Sequence, residues 1–138
     1  MDGYARLNIS NCFLSHGSAD KGGALAVLNS PAEFYNLELH HNSAESGGGA
    51  VYLENADPLL AHLTIADNSS LAGSGAIFAS NSDYARIFGC NIWNNGATPL
   101  SGTMLAMYSN VQGGYGGSTN ISEEPSFDPE TTDHYLIS

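Results

Sequence analysis

The sequence predicts an all-β chain, wound as a right-handed, single-stranded parallel β-helix. It has about four rungs of three short strands each, closed by a C-terminal capping tail. Three observations predict this. Gly23-Ala24, Gly49-Ala50 and Gly75-Ala76 recur at a spacing of 26 residues, with Gly102-Thr103 one residue late. Asn29, Asn55 and Asn81 keep the same spacing. Between these marks, apolar residues alternate in short runs, which is the pattern of strands whose successive side chains face opposite ways. A fixed period in the twenties marks a solenoid. Long apolar runs at helical spacing are absent. The right hand follows from the crossover rule for parallel strands.

The chain has 138 residues, 42% hydrophobic and only 12% charged. That composition is globular, and the length fits one domain. Residues 1–112 read as rungs and 113–138 as the tail. Sixteen glycines suit a chain that turns every few residues. Three basic residues (Arg6, Lys21, Arg86) stand against 14 acidic ones, a net charge of -11. This argues against nucleic acid, anionic membranes and polyanionic substrates as partners, because each requires clustered Lys and Arg. No run of 18 apolar residues is present, so membrane insertion is not expected. The chain carries no leader or lipidation motif and begins inside a repeat-like segment, as a piece of a longer solenoid or a very small one would.

Superposing the repeats justifies each element. The first strand of a rung carries the columns Leu7, Ala32, Pro58, Ala85 and Ile9, Phe34, Leu60, Ile87. A turn follows at Asn11, Asn36, His62 and Gly89. The second strand carries Cys12, Leu37, Leu63, Cys90 and then Leu14, Leu39, Ile65, Ile92. A second turn holds Gly17, Asn42, Asn68 and Asn95. A Gly-rich loop leads to the third strand, with Leu25, Val51, Ile77, Met104 and Val27, Leu53, Ala79, Ala106. Asparagine suits such turns because it tolerates the left-handed conformation. Stacked about 4.8 Å apart, equivalent amides also bond up the stack. The Asn29/Asn55/Asn81 and Asn42/Asn68/Asn95 columns read as ladders of this kind. The two cysteines share a column three rungs apart, about 14 Å along the axis. That is too far for a disulfide, so both read as free, buried thiols.

The run Asn42-Ser43-Ala44 followed by Gly48-Gly49-Ala50-Val51-Tyr52, with its variant from Asn68 to Phe78, resembles the right-handed β-helix repeats of bacterial surface proteins. Polymorphic outer-membrane adhesins carry similar Gly-Gly-Ala-Ile motifs. The segments Cys90–Asn95, Tyr108–Gly114 and Asn120–Pro129 resemble the C-terminal end of the β-helix in secreted "choice-of-anchor" proteins. The resemblance implies an exported or cell-surface setting and an adhesive or structural scaffold contacting polysaccharide or surface glycan. The alternative is a fragment of a polysaccharide lyase or glycoside hydrolase of the pectin-lyase-like fold, which the resemblance also includes. Fold likeness alone does not transfer an activity.

Candidate chemistry is sparse. His16, His41, Asp67 and Asn94 align at the second turn; two imidazoles and a carboxylate about 4.8 Å apart suit a transition metal or an acid–base pair. The neighbouring column (Ser15, His40, Ala66, Trp93) shows no catalytic pattern. Asp57 and Asp83 stack near Glu54 and are the best paired carboxylates for glycoside hydrolysis. Glu38 has Phe13, Thr64 and Asn91 as column neighbours, so no carboxylate cluster forms there. Arg86 is the one basic residue on a coil strand, a poor lyase signature. Ala26, Tyr52, Phe78 and Leu105 form an outward apolar column. It is either covered, with Tyr115, Phe127 or Tyr135 packing over it, or a sugar-stacking surface carried by Tyr52 and Phe78. No cofactor is required. Calcium is the one ion the acidic tail (Glu123, Glu124, Asp128, Glu130, Asp133) suits, though without EF-hand or calcium-roll spacing. If nothing precedes this chain, only Met1 to Tyr4 are available to cover the N-terminal opening, and self-association through the open coil is then expected.

Overall fold

The computed structural model describes residues 7–125. The first rung comprises β1 (Leu7–Ser15), β2 (Ser18–Lys21) and β3 (Leu25–Leu28). The second repeats it as β4 (Ala32–His40), β5 (Ser43–Gly47) and β6 (Val51–Glu54). The third divides the long strand into β7 (Leu59–Ala61) and β8 (Thr64–Ala66), followed by β9 (Ser69–Ser70) and β10 (Ile77–Ser80). The fourth holds β11 (Arg86–Phe88), β12 (Asn91–Trp93) and β13 (Leu100–Ser101). A further partial turn starts with β14 (Leu105–Met107) and β15 (Asn110–Val111). Every named pairing is parallel and joins a strand to its equivalent one rung away, as in β1 with β4 (Leu7↔Ala32, Leu14↔Leu39) and β6 with β10 (Val51↔Ile77).

The alternation read from the sequence sets the core. Phe34, Leu60 and Ile87 stack inside the coil, as do Leu39, Ile65 and Ile92 and, on the third face, Val51 and Ile77; all are fully buried. Each turn between faces uses a left-handed residue. Asn11, Asn36, His62 and Gly89 have φ of 56°, 54°, 57° and 61°. Asn29, Asn55 and Asn81 have φ of 53°, 49° and 49°. The Gly-Ala marks have a packing cause. A Cβ on Gly23 would meet the Gly49 carbonyl oxygen, one on Gly49 that of Gly75, and one on Gly75 that of Asn95. Backbone passes too close there for any side chain, so glycine recurs with the coil.

The Asn42/Asn68/Asn95 ladder forms as expected. Asn68 Oδ1 accepts from Asn42 N (2.9 Å) and Asn42 Nδ2 (3.0 Å). Asn95 Oδ1 accepts from Asn68 N (3.0 Å) and Asn68 Nδ2 (2.9 Å). All three amides are buried.

Four expectations are corrected. The Asn29/Asn55/Asn81 column is exposed and linked by backbone, with Asn29 N donating to Glu54 O and Asn55 N to Ser80 O, rather than by an amide ladder. The Gly-rich loop is not bare of strand: it holds the short strands β2, β5 and β9, which pair up the stack. Cys90 is buried but Cys12 is exposed, because β1 is the first described coil and its outer edge has no neighbour among the described residues.

The fourth correction is register. Gly102-Thr103 is not the next Gly-Ala mark. Leu100 and Ser101 pair with Ile77 and Phe78. Met107 pairs with Phe88, and Val111 with Ile92. The step along the chain thus falls from 26 residues to 23 and then 19. Two shortened links cause it: Trp93 to Leu100, against Ala66 to Ile77 above it, and Ser101 to Leu105, against Phe78 to Arg86. Leu105 therefore stacks on Arg86, not on Phe78. Below β15, Ile121 bridges to Asn110, and the Tyr115 hydroxyl donates to Met104 O (3.2 Å) on the edge of the core. Met1 to Tyr4, Phe127, Asp128, Glu130, Asp133 and Tyr135 lie outside the described residues.

Candidate functional site

The second turn brings His16, His41 and Asp67 together. Their φ angles of 61°, 57° and 56°, with 55° at Asn94, show that each reverses the chain at the same corner of successive rungs. The His16 and His41 rings stack with centroids 5.3 Å apart and planes within 4°. His41 Nε2 lies 4.0 Å from Asp67 Oδ2. Asn94 takes the same corner one rung on, and its backbone N–H donates to Gln112 Oε1 (2.7 Å).

His40 joins this strip, though its own column gave no sign of it. Its Nδ1 is 2.9 Å from His41 Nδ1, and its ring meets His41 edge-on at 5.2 Å. It is 3% exposed, beside Glu38 at 8%, with Nε2 4.0 Å from Glu38 Oε1. The usable signal was the adjacency of His40 and His41: one sits on a strand and the other at a corner, so their rings converge from different directions. Among the described residues, no three His, Cys, Asp or Glu side chains are placed to hold a metal ion.

Asp57 and Asp83 are exposed at the third corner. Asp57 Oδ1 accepts a hydrogen bond from the Tyr84 backbone N–H (3.0 Å), which ties one rung to the next. The nearby Glu54 carboxylate accepts from the Tyr52 hydroxyl (3.0 Å). Asp57 and Glu54 therefore have partners within the coil.

Tyr52 and Phe78 stack with centroids 5.7 Å apart and planes at 17°. The Lys21 ammonium sits over the Tyr52 ring, 5.0 Å from its centroid. A Cβ on Gly47 or Gly73 would meet the Phe78 ring, so backbone of the Gly-rich loops closes around it. Tyr52 is only 5% exposed, leaving no open ring face for a sugar. Tyr52 is covered by its own loops, whereas Phe78 is half-buried and Ala26 exposed; the tail residue Tyr115 packs instead at the C-terminal edge of the core.

Buried Cys90 is chemically quiet. Removal from water pushes its thiol up to about 11, although backbone hydrogen bonds from Leu63, Phe88 and His62 pull the other way. No helix among the described residues is long and apolar enough to cross a membrane.

The family described as a right handed beta helix region matches residues 1–121. No curated protein and no solved structure matches the chain. The family match spans nearly the whole repeat region, where equivalent strands pair in parallel through four turns. The chain belongs to the right-handed β-helix family.

Proposed function

We propose that this chain is a non-catalytic β-helix module of an exported or cell-surface protein, a rigid scaffold that contacts glycans. One observation carries the reading: the candidate residues stand at positions the coil itself uses. His16, His41 and Asp67 are left-handed corner residues, and Asp57 caps the Tyr84 backbone. The exported setting and the adhesive role rest on the sequence resemblance. The -11 charge favours neutral over anionic polymers.

A second reading, a fragment of a polysaccharide-cleaving enzyme, is favoured by the run of Glu38, His40, His41 and Asp67, in which carboxylates and imidazoles lie in sequence along one side. Such pairs serve acid–base chemistry. Calcium remains the cofactor candidate, through the exposed Glu123 and Glu124. Self-association belongs to the same reading: β1 exposes Leu7 and Cys12 at an edge that has no neighbour among the described residues, and an open edge recruits another strand.

The test is a panel of neutral and anionic polysaccharides, with and without calcium, followed by reducing ends, unsaturated-uronate absorbance and retention of the protein. Retention without new chain ends supports the scaffold. New chain ends overturn it and direct mutagenesis to His40, His41 and Asp67.

A further inference from the structure

The corner between β4 and β5 holds two imidazoles whose geometry limits how many protons they carry. His40 Nδ1 and His41 Nδ1 lie 2.9 Å apart. At that distance one nitrogen carries a hydrogen and the other offers a lone pair. A neutral pair satisfies this, and so does a pair with one imidazolium. With two imidazolium rings both Nδ1 atoms carry hydrogen, and the contact cannot exist.

The groups around the pair sharpen that limit. On β4 itself, Glu38 Oε1 is 4.0 Å from His40 Nε2. At the corner after β8, Asp67 Oδ2 is 4.0 Å from His41 Nε2. Both carboxylates favour the first proton. From the corner after β1, His16 stacks on His41 at 5.3 Å and meets His40 edge-on at 6.3 Å. A second charge on the pair therefore also faces a third ring that can take a proton. Opposite His40 in register, β1 places Ser15 and β8 places Ala66, neither of them ionisable. The strand that follows, β5, contributes Glu45, which is exposed. Burial decides which ring yields. His40 is 3% exposed and has no water to turn towards. The His41 side chain is 41% exposed.

We propose that the His40–His41 pair is a pH-sensitive latch on this corner. It is closed while the pair carries at most one proton beyond neutrality. The second proton opens it, and His41 leaves both His40 and the His16 stack for solvent. The sign follows from linkage. The unfolded chain takes a proton on each ring as pH falls through about 6.5, whereas the closed corner takes one. The unfolded state then binds more protons, so the stability the latch contributes is present above about pH 6.5 and is lost as pH falls below it. The latch needs no ligand and stands apart from the glycan reading.

The experiment is urea unfolding of the full chain from pH 7.5 to 5.5, for the parent, His41→Asn, His40→Gln and His16→Asn. Asparagine suits the corner, since Asn94 holds the equivalent place at φ 55°. Titration of the remaining carboxylates is common to all four proteins and cancels in the comparison. Across this range the parent's folding equilibrium constant should fall about tenfold relative to His41→Asn, because the unfolded chain takes up one proton more than the closed corner accepts. His40→Gln removes the pair from its buried side and should behave as His41→Asn does. His16→Asn keeps the pair and should follow the parent. A pH dependence shared by the parent and both pair variants overturns the latch, as does its loss in His16→Asn. Proton NMR of the native parent reads the opening itself: the contact between the His16 and His41 rings should be present at pH 7.5 and weakened at pH 5. A ring contact unchanged at pH 5 overturns the opening.

Discussion

Replacing Asn68 by alanine removes the centre of the buried amide ladder. Its Oδ1 accepts from the Asn42 N–H and Nδ2, and its Nδ2 donates to Asn95 Oδ1 and to Leu39 O. Two of the four partners keep another bond: Asn42 Nδ2 still reaches Leu14 O (2.9 Å), and Asn95 Oδ1 still accepts from Asn68 N. The Asn42 N–H and the Leu39 carbonyl lose a side-chain partner in the interior. At about 1–3 kcal/mol for each, the expected loss is about 4 kcal/mol. For a domain of this length that lowers the melting temperature by roughly 15 °C. Urea unfolding of the parent and of Asn68→Ala measures the difference, with an unchanged slope showing that the unfolded states are comparable. Asn55→Ala is the comparison. Asn55 is exposed at φ 49°, so only left-handed strain is added there, about 1–2 kcal/mol. If Asn68→Ala loses no more than Asn55→Ala, the ladder is not what holds the corner.

Other outcomes follow from the same geometry. Gly49→Ala drives a Cβ onto the Gly75 carbonyl oxygen; it should lower the urea midpoint sharply or prevent folding, whereas Gly96→Ala, with nothing within 4 Å, costs only the strain of φ 88°. In the native state at pH 8, one thiol, Cys12, should react with a thiol reagent, and two should react in denaturant. Because burial raises Cys90 from 9.0 to about 11, its contribution to stability is complete below pH 9 and is lost as pH rises through 11; unfolding midpoints between pH 8 and 11 check the sign. Asp57→Ala should cost about 1 kcal/mol or less through the lost Tyr84 cap and leave glycan retention unchanged.

Much of the solenoid was legible because stacking makes each column repeat one physical demand. Phe34, Leu60 and Ile87 share an inward position, Asn42, Asn68 and Asn95 a buried corner, and Gly23, Gly49 and Gly75 a place without room for a side chain. Asn29, Asn55 and Asn81 repeat as regularly but for another reason, since their shared need is a left-handed backbone and not an amide partner. Periodicity reveals that a demand recurs, not which demand it is.

The candidate site was less legible. His16, His41 and Asp67 share a column, so their stacking could be anticipated. His40 does not, and its approach to His41 depends on how the chain bends at φ 57°. Tyr108 was hidden by the register: in a 26-residue frame it falls outside the Asn11/Asn36/His62/Gly89 column, and only the pairing of Met107 with Phe88 brings it in.

By itself, the sequence determined a parallel coil, its inward columns, its corners and a strongly acidic net charge. These depend on alternation, backbone crowding and net charge, which are local or additive quantities. Only the tertiary structure decided that the last turn contracts to 19 residues, that Tyr52 is covered while Tyr108 is open, and that Asn91 keeps a buried acceptor without a donor. Outward-facing side chains have no repeating demand to mark them, and their exposure depends on which loops pass over them once the coils are stacked.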